Sequence, residues 1–263
     1  MSIKISLRSN AREIIEKPVG NDYTHSGILK EDHFGPHGLD PALSDFFRVG
    51  DLYLGKKMPI YFEAKGDSNP THLLSQDEAN SIPFSSSRLP YLLEFFSISN
   101  SSPQAKAMET TLHECEHKLD KSEFKFCATS LESMIDMTLG VFGKVKPKVL
   151  TTKIFSSNHT FFQSYTFVKK PLEIYASKMV ACHPMSYPYK VYYCHGHKAH
   201  TDRLFKIALR GENGERVDAI SVCHMDTSMY DRDHVAFRVL GGQPGYPICH
   251  FLQANHLAWI PSA

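Results

Sequence analysis

Four of the six cysteines in this 263-residue chain are each followed directly by a histidine. The four dipeptides are Cys182-His183, Cys194-His195, Cys223-His224 and Cys249-His250, and 10, 27 and 24 residues separate them. The chain has only 15 histidines, so such a neighbour is rare by chance at any one cysteine. The repeated pairing therefore indicates a shared chemical role.

Adjacent side chains on a β-strand point to opposite faces of the sheet. Each dipeptide can therefore send its sulfur to a disulfide and present its imidazole on the other face. Four such strands in register would gather the imidazoles of His183, His195, His224 and His250. Imidazole suits copper, zinc, iron and nickel, and copper(II) stands highest in the affinity order. The sequence predicts a copper site on a cross-linked scaffold.

Two other interpretations of the dipeptides stay open at this point. The thiolates could themselves bind structural zinc, although the chain has no Cys-x-x-Cys spacing of the kind that is common in such sites. Alternatively, the cysteines form two ordinary disulfides and the histidines have no joint role.

Two helices are predicted in the middle of the chain, where apolar residues recur at helical spacing. The first covers Ala105–Leu119, and the second opens with the capping-box pattern Thr129-Ser130-Leu131-Glu132. We interpret the residues between them as a short turn over 120–126. Because Cys115 and Cys127 flank that turn, a disulfide between them would hold a helical hairpin.

After Pro147 the chain changes to short β-branched and aromatic runs that are typical of strands, and Gly211–Gly214 between two of them predicts a hairpin turn. The sequence predicts an α+β fold with a β-rich C-terminal half. Six cysteines allow fifteen sets of disulfides. The sequence does not decide how the dipeptide cysteines pair, and Cys182–Cys194 with Cys223–Cys249 serves as a working assignment. The predicted runs are Lys148–Phe155, Phe161–Val168, Tyr187–His195, Arg203–Arg210, Arg216–Cys223, Val235–Leu240 and Ile248–Leu252.

Residues 1–45 mix glycine, proline and charged residues without a sustained period, which indicates a flexible leader. Dense apolar sequence begins at Phe46, so we expect one domain over residues 46–263. The formal net charge of +1 gives no basic field for nucleic acid, and no apolar stretch is long enough to span a bilayer. We expect neither nucleic acid nor a membrane as a partner.

Several other side chains are candidates for supporting roles. Asp226, two residues after His224, can orient that imidazole as a hydrogen-bond acceptor or cap the turn that it begins. His197 and His200 could add ligands, but we favour solvated loop positions for both. We interpret His113 and His117 as a solvated helix face rather than as metal ligands. The tyrosines are interpreted as packing residues rather than as radical relays, and they are Tyr187, Tyr189, Tyr192 and Tyr193.

The spacing of the dipeptides resembles the signature of the plant BURP-domain family. Further stretches are similar to the family, including the phenylalanine pair Phe46-Phe47 and the segment Cys127–Met134. The segment Cys223–Ser228, and Trp259 after the last dipeptide, also match. The resemblance covers about residue 45 to the end of the chain.

This resemblance implies a disulfide-bonded domain in a secreted protein of the plant cell wall (the apoplast) or vacuole. Some members are seed or stress-induced proteins or resemble a non-catalytic polygalacturonase subunit. Others are copper-dependent peptide cyclases, which oxidatively join a tyrosine or tryptophan side chain of a core peptide to another residue of that peptide. In those members the dipeptide histidines hold the copper and are the catalytic residues, here His183, His195, His224 and His250.

The leading interpretation is therefore an autocatalytic copper-dependent cyclase, acting on its own leader or on a separate core peptide. The alternative is a non-enzymatic secreted wall, seed or stress-related protein that binds metal for stability or sequestration, with wall polysaccharide or wall proteins as partners. The leader offers Tyr23 as its one tyrosine and contains no tryptophan and no glutamine, although known cores often begin at glutamine.

The first residues show no signal peptide, so we expect a trimmed form of a secreted protein. Two glycosylation sequons, at Asn100 and Asn158, are compatible with a secretory route.

Overall fold

The computed structural model describes residues 44–63, 73–117, 123–143, 145–156, 159–197 and 201–262. Apart from its last two residues, the leader expected at residues 1–45 lies outside the described residues. Tyr23, His200 and Asn158 lie outside them as well.

The described residues form five α-helices and thirteen strands. The helices are α1 (Gln76–Ser81), α2 (Leu89–Phe95), α3 (Pro103–Glu116), α4 (Leu131–Phe142) and α5 (Val235–Leu240). The strands are β1 (Phe46–Phe47), β2 (Lys57–Tyr61), β3 (Glu123–Ala128), β4 (Pro147–Leu150), β5 (Lys153–Ile154), β6 (Phe162–Phe167), β7 (Leu172–Ile174), β8 (Val180–Met185), β9 (Val191–His197), β10 (Asp202–Gly211), β11 (Arg216–His224), β12 (Ile248–Leu252) and β13 (Leu257–Pro261).

The strands build two antiparallel sheets. The larger has eight strands in the order β1-β12-β11-β10-β6-β2, with β5 also paired to β11 and β7 to β10. The smaller has five strands in the order β3-β9-β8-β13-β4. The predicted α+β class with a β-rich C-terminal half is therefore confirmed, and β10 and β11 join at the hairpin turn expected over Gly211–Gly214.

The structure does not support the predicted helical hairpin. Strand β3 occupies much of the expected turn and pairs with β9. The alternation of charged and aromatic residues in Glu123–Phe126 has the period of two that is typical of a strand, and pairing with β9 stabilises it. The disulfide between Cys115 and Cys127 is formed, but it joins helix α3 to strand β3 rather than two helices.

The run Val235–Leu240 was predicted as a strand and is helix α5. His234 caps its first turn, because the His234 Nδ1 atom accepts a hydrogen bond from the Ala236 backbone N–H. Gly241 ends the helix in the left-handed conformation, with φ of 64°, which glycine adopts without steric cost. These two end signals outweigh the strand preference of the β-branched residues between them.

Buried side chains of the described residues form five groups, and the three largest make up most of the core. One lies between the five-stranded sheet and helix α4 and includes Trp259, and another lines the eight-stranded sheet with aromatic residues such as Phe251. The third joins both sheets, since Val222 on β11 and Leu252 on β12 pack with Ala258 on β13. Residues two apart on a strand share a face. His224 and His250 therefore lie on the faces that Val222 and Leu252 turn to the other sheet.

Among the described residues, no helix combines the length and apolar character needed to cross a membrane.

Candidate metal centre

Each sheet contains one pair of Cys-His dipeptides on neighbouring antiparallel strands. Cys182 on β8 lies directly opposite Cys194 on β9, and Cys223 on β11 lies directly opposite Cys249 on β12. Both pairs are disulfide-bonded, with Cα atoms 4.0 and 3.9 Å apart. These are the two disulfide pairings of the working assignment. No cysteine is free, which contradicts the alternative of a zinc site made from thiolates.

The dipeptide histidines lie on the opposite face from the buried sulfurs, as the alternation of a strand requires. Because the cysteines of each pair are directly opposed, the histidines that follow them are diagonal neighbours on the same face. The Nε2 atom of His183 lies 3.2 Å from Nε2 of His195. The Nε2 atom of His224 lies 3.3 Å from Nε2 of His250. The two sheets therefore carry the same local arrangement.

The two histidine pairs meet between the sheets. The ring centroid of His183 lies 6.0 Å from that of His250, and the ring centroid of His195 lies 6.2 Å from that of His224. We call these four side chains the imidazole cluster. Two members come from each sheet, so the cluster depends on the packing of the whole domain.

Three members of the cluster have a partner at Nδ1, the ring nitrogen that faces away from the neighbouring histidine. His224 contacts Oδ1 of Asp202 at 2.9 Å, and His183 contacts Nδ1 of the buried His256 at 3.0 Å. The Nδ1 atom of His250 contacts the carbonyl oxygen of Phe251 at 3.3 Å. Partners at the outer nitrogen fix ring orientation and tautomer, as they do around histidine ligands of metal sites.

Each histidine pair of the cluster fits a metal ion that prefers nitrogen. Two ligand atoms on one ion, with metal–nitrogen bonds of about 2.0–2.1 Å, lie about 3–3.5 Å apart. The separations of 3.2 and 3.3 Å between Nε2 atoms fall in that range. In the metal-free protein the contact between His183 and His195 also suits a hydrogen bond between two neutral imidazoles.

Burial keeps two imidazoles of the cluster, those of His195 and His250, in the neutral form that binds metal. Burial lowers the pKa of His195 to about 4, and the nearby His224 lowers it further. Burial also holds the pKa of His250 well below its usual range, again with a contribution from His224. Because a histidine must be neutral to bind a metal, these residues need lose no proton at neutral pH.

Two carboxylates and a further histidine adjoin the cluster. His197 contacts Oδ2 of Asp202 through Nδ1 and Oε1 of Glu123 through Nε2, at 2.9 Å in both cases. Hydrogen bonds to Asp202 and Glu123 raise the pKa of His197 to about 10, so it is protonated at neutral pH. Burial raises the pKa of Asp202, but hydrogen bonds from His197 and His224 hold it well below its usual range.

Sequence reasoning missed Asp202 and His256 and chose a different carboxylate. The Asp226 side chain is exposed and accepts a hydrogen bond from the Ser228 backbone N–H, so it caps its own turn. Asp202 is 22 residues before His224 in the chain, but the two are cross-strand partners on β10 and β11. No local spacing could reveal that contact, because it depends on strand register.

His197 was expected on a solvated loop, and this prediction is wrong. It lies on β9, two residues after His195 and on the same face, with a side chain that is 9% exposed. The period of two along Tyr193, His195 and His197 was the available signal. Gly196, between His195 and His197, leaves no room for a side chain, since a Cβ atom there would lie 2.4 Å from the carbonyl oxygen of Met179.

The other histidine and tyrosine candidates from the sequence are not members of the imidazole cluster. His113 is exposed on helix α3, as expected, and His117 is exposed directly after the end of that helix. Tyr189 and Tyr192 are buried packing residues, also as expected. Tyr187 packs against Phe84, Phe96 and Tyr189.

Three aromatic rings border the imidazole cluster. The Tyr193 ring lies 5.4 Å from His195, and the Tyr230 ring lies 5.9 Å from His224. The ring of Phe46, the first residue of the phenylalanine pair Phe46-Phe47, lies 6.2 Å from the ring of His250. Burial raises the pKa of Tyr193 to about 12 and that of Tyr230 further still, so both stay phenols at neutral pH.

Comparison with known proteins gives one consistent result. The sequence profile of the BURP domain matches residues 45–261, which include the whole imidazole cluster. The BURP domain protein USPL1 of Arabidopsis thaliana is 43% identical over 253 residues, covering 94% of this chain and 88% of that protein. BURP domain-containing protein BNM2A of Brassica napus is 41% identical over 267 residues, covering 99% and 93%. The BURP domain protein RD22 of Arabidopsis thaliana is 36% identical over 247 residues, covering 93% and 62%.

Proposed function

The chain belongs to the plant BURP-domain family, and on that premise we propose that it is a copper-dependent oxidative peptide cyclase. The imidazole cluster would hold the copper. The observation that carries this proposal is the meeting of two histidine pairs, one from each disulfide-linked strand pair, with Nε2 atoms 3.2 and 3.3 Å apart within the pairs and ring centroids 6.0 and 6.2 Å apart between them. Copper(II) stands at the top of the affinity order for such nitrogen ligands.

The reaction would join the side chain of a tyrosine or tryptophan to another residue of the same core peptide. Closing that bond removes two hydrogens from the peptide as two protons and two electrons, and dioxygen from air is the final electron acceptor. When bound, copper supplies the redox couple that no protein side chain of the cluster offers. The substrate is the protein's own leader or a separate core peptide.

The chain's own residues would hold the copper ligands in place and receive the peptide. The disulfides Cys182–Cys194 and Cys223–Cys249 hold each histidine pair in register. His183, His195 and His250 are partly exposed, so an aromatic side chain of the peptide can approach the cluster from their side.

The bordering rings of Phe46, Tyr193 and Tyr230 would then pack against that aromatic side chain. Such aromatic contacts orient a ring and exclude water from it.

A second candidate function, metal binding without catalysis, is favoured by the composition of the leader. Tyr23 is the one tyrosine in residues 1–45, and that segment has neither tryptophan nor glutamine. In this case the protein would be a wall, seed or stress-related protein that uses the metal for stability or sequestration.

We also propose a secretory route. Disulfides persist in oxidising compartments, and this chain has three. Asn100, the first residue of a sequon, is exposed and would accept a glycan. The cell wall and the vacuole are the destinations that fit this route, with wall polysaccharide or wall proteins as partners.

Copper loading in air separates the two candidate functions. The protein is stripped with a chelator, reloaded with copper and digested, and the peptides of residues 1–45 are weighed by mass spectrometry. A cyclase that acts on its own leader should give a loss of about 2 Da in the peptide with Tyr23, the mass of two hydrogens. Zinc loading, copper loading without oxygen and the Tyr23→Phe variant are the controls and should show no loss.

Bound copper with an unchanged leader mass would contradict cyclisation of the leader and favour metal binding alone. Adding separate tyrosine- or tryptophan-containing peptides to the loaded protein then tests reaction on another chain. Failure to bind copper would contradict the cyclase, and failure to bind any metal would contradict both candidate functions.

A further inference from the structure

We propose that Asp202 is a positioning residue that fixes the tautomer and orientation of His224 for metal binding, and that His197 and Glu123 hold Asp202 in place. This inference rests on the proposed function, because it concerns the same cluster. It assigns a role to a carboxylate that carries no sequence signal of its own.

The first contact joins Asp202 to His224. Their Cα atoms are direct partners in the β10–β11 register, and Oδ1 of Asp202 lies 2.9 Å from Nδ1 of His224. Both side chains are less than a tenth exposed. An ionised carboxylate can only accept a hydrogen bond, so Nδ1 of His224 carries the hydrogen. Nε2 of His224 then presents its lone pair towards His250.

The second oxygen of Asp202 is held as well. Oδ2 lies 2.9 Å from Nδ1 of His197, and Nε2 of His197 lies 2.9 Å from Oε1 of Glu123. Glu123 and His197 are direct partners in the β3–β9 register of the five-stranded sheet. The chain of contacts thus runs from one sheet to the other. With both oxygens engaged, the carboxylate cannot rotate away from His224.

The same groups also offer donor atoms for a second metal ion, since atoms of His197, Asp202 and His224 lie within 4.8 Å of one another. Each carboxylate contact, however, pairs one oxygen with one imidazole nitrogen at 2.9 Å. That is the length of a charge-assisted hydrogen bond. We therefore assign hydrogen bonds here and treat a second ion as an outcome of the test.

The test compares Asp202→Asn with Asp226→Asn, the matched carboxylate that contacts Ser228 instead of the cluster. His224 and His197 both donate to Asp202, whereas an asparagine amide offers only one oxygen as acceptor. We expect Asp202→Asn to weaken copper affinity about 10–100-fold, with the number of bound ions unchanged. Asp226→Asn should bind copper with the same affinity as the unsubstituted protein.

Two further measurements separate positioning from a general structural effect. If Asp202 acts through His224, adding Asp202→Asn to His224→Ala should not weaken copper binding further. Nitrogen-15 NMR of the metal-free, unsubstituted protein should show His224 with its hydrogen on Nδ1, and this measurement needs neither copper nor a folded variant.

Unchanged copper affinity in Asp202→Asn would overturn the positioning role. Additive losses in the double variant would also overturn it, as would a His224 hydrogen on Nε2. Loss of one whole equivalent of metal would assign a second ion site instead. If the unsubstituted protein binds no copper, the proposed function fails, and the NMR result still decides the role of Asp202.

Discussion

Replacing His224 with alanine is expected to lower copper affinity by about 100-fold or more, while all three disulfides stay intact. Losing a partner of a ligand costs about 10–100-fold in metal affinity, and losing a ligand itself should cost at least the upper value. His224 is the most enclosed member of the cluster, at 5% exposure. His250→Ala should behave in the same way. Isothermal titration with copper measures the effect.

The matched control is His113→Ala, which removes an exposed imidazole on helix α3. Copper affinity should not change in that variant. Equal affinities in His224→Ala, His250→Ala and the unsubstituted protein would mean that the dipeptide histidines have no joint role.

Removing the Cys223–Cys249 disulfide should destabilise the domain and weaken copper binding together. The bridge joins residues 26 apart in the chain, for which loop-closure entropy predicts a stabilisation of about 3.5 kcal/mol. Its sulfurs are fully buried, and the bridge fixes the register that makes His224 and His250 neighbours. The variant Cys223→Ala/Cys249→Ala should show both losses in urea unfolding and copper titration.

The pair Cys115 and Cys127 provides the control for this prediction. Its bridge spans 12 residues and joins helix α3 to strand β3, and neither cysteine carries a following histidine. Cys115→Ala/Cys127→Ala should lose about 3 kcal/mol of stability by the same loop-closure argument. Its copper affinity should stay unchanged. A Cys223→Ala/Cys249→Ala variant with unchanged copper affinity would show that the bridge does not position the histidines.

The sequence could predict the separation of sulfurs and imidazoles because that signal is local, but not that the four strands divide between two sheets that face each other. Adjacent residues on a strand face opposite ways, so a repeated Cys-His dipeptide places sulfur and imidazole on separate faces whatever the topology. The β-rich half could be predicted for the same reason, since strands such as β10 and β11 have their own composition and a turn between them. The pairing of the dipeptide cysteines, Cys182 with Cys194 and Cys223 with Cys249, needed the strand register.

The parts that were missed depend on contacts between distant segments. Asp202 reaches His224 through strand register, and His197 reaches Asp202 across the two sheets. Asp226 is near His224 in sequence, but the strand ends at His224 and the chain turns away. Strand β3 was taken for a turn because its partner, β9, lies about 70 residues further along the chain.

X-ray absorption at the copper edge of the loaded protein tests the central claim most directly, because it identifies the atoms bound to the metal. We expect four imidazole nitrogens at about 2.0 Å and no sulfur, since every cysteine is in a disulfide. The signal of one imidazole should disappear in His224→Ala. A sulfur neighbour at about 2.3 Å, or a spectrum that His224→Ala leaves unchanged, would contradict copper binding by the imidazole cluster.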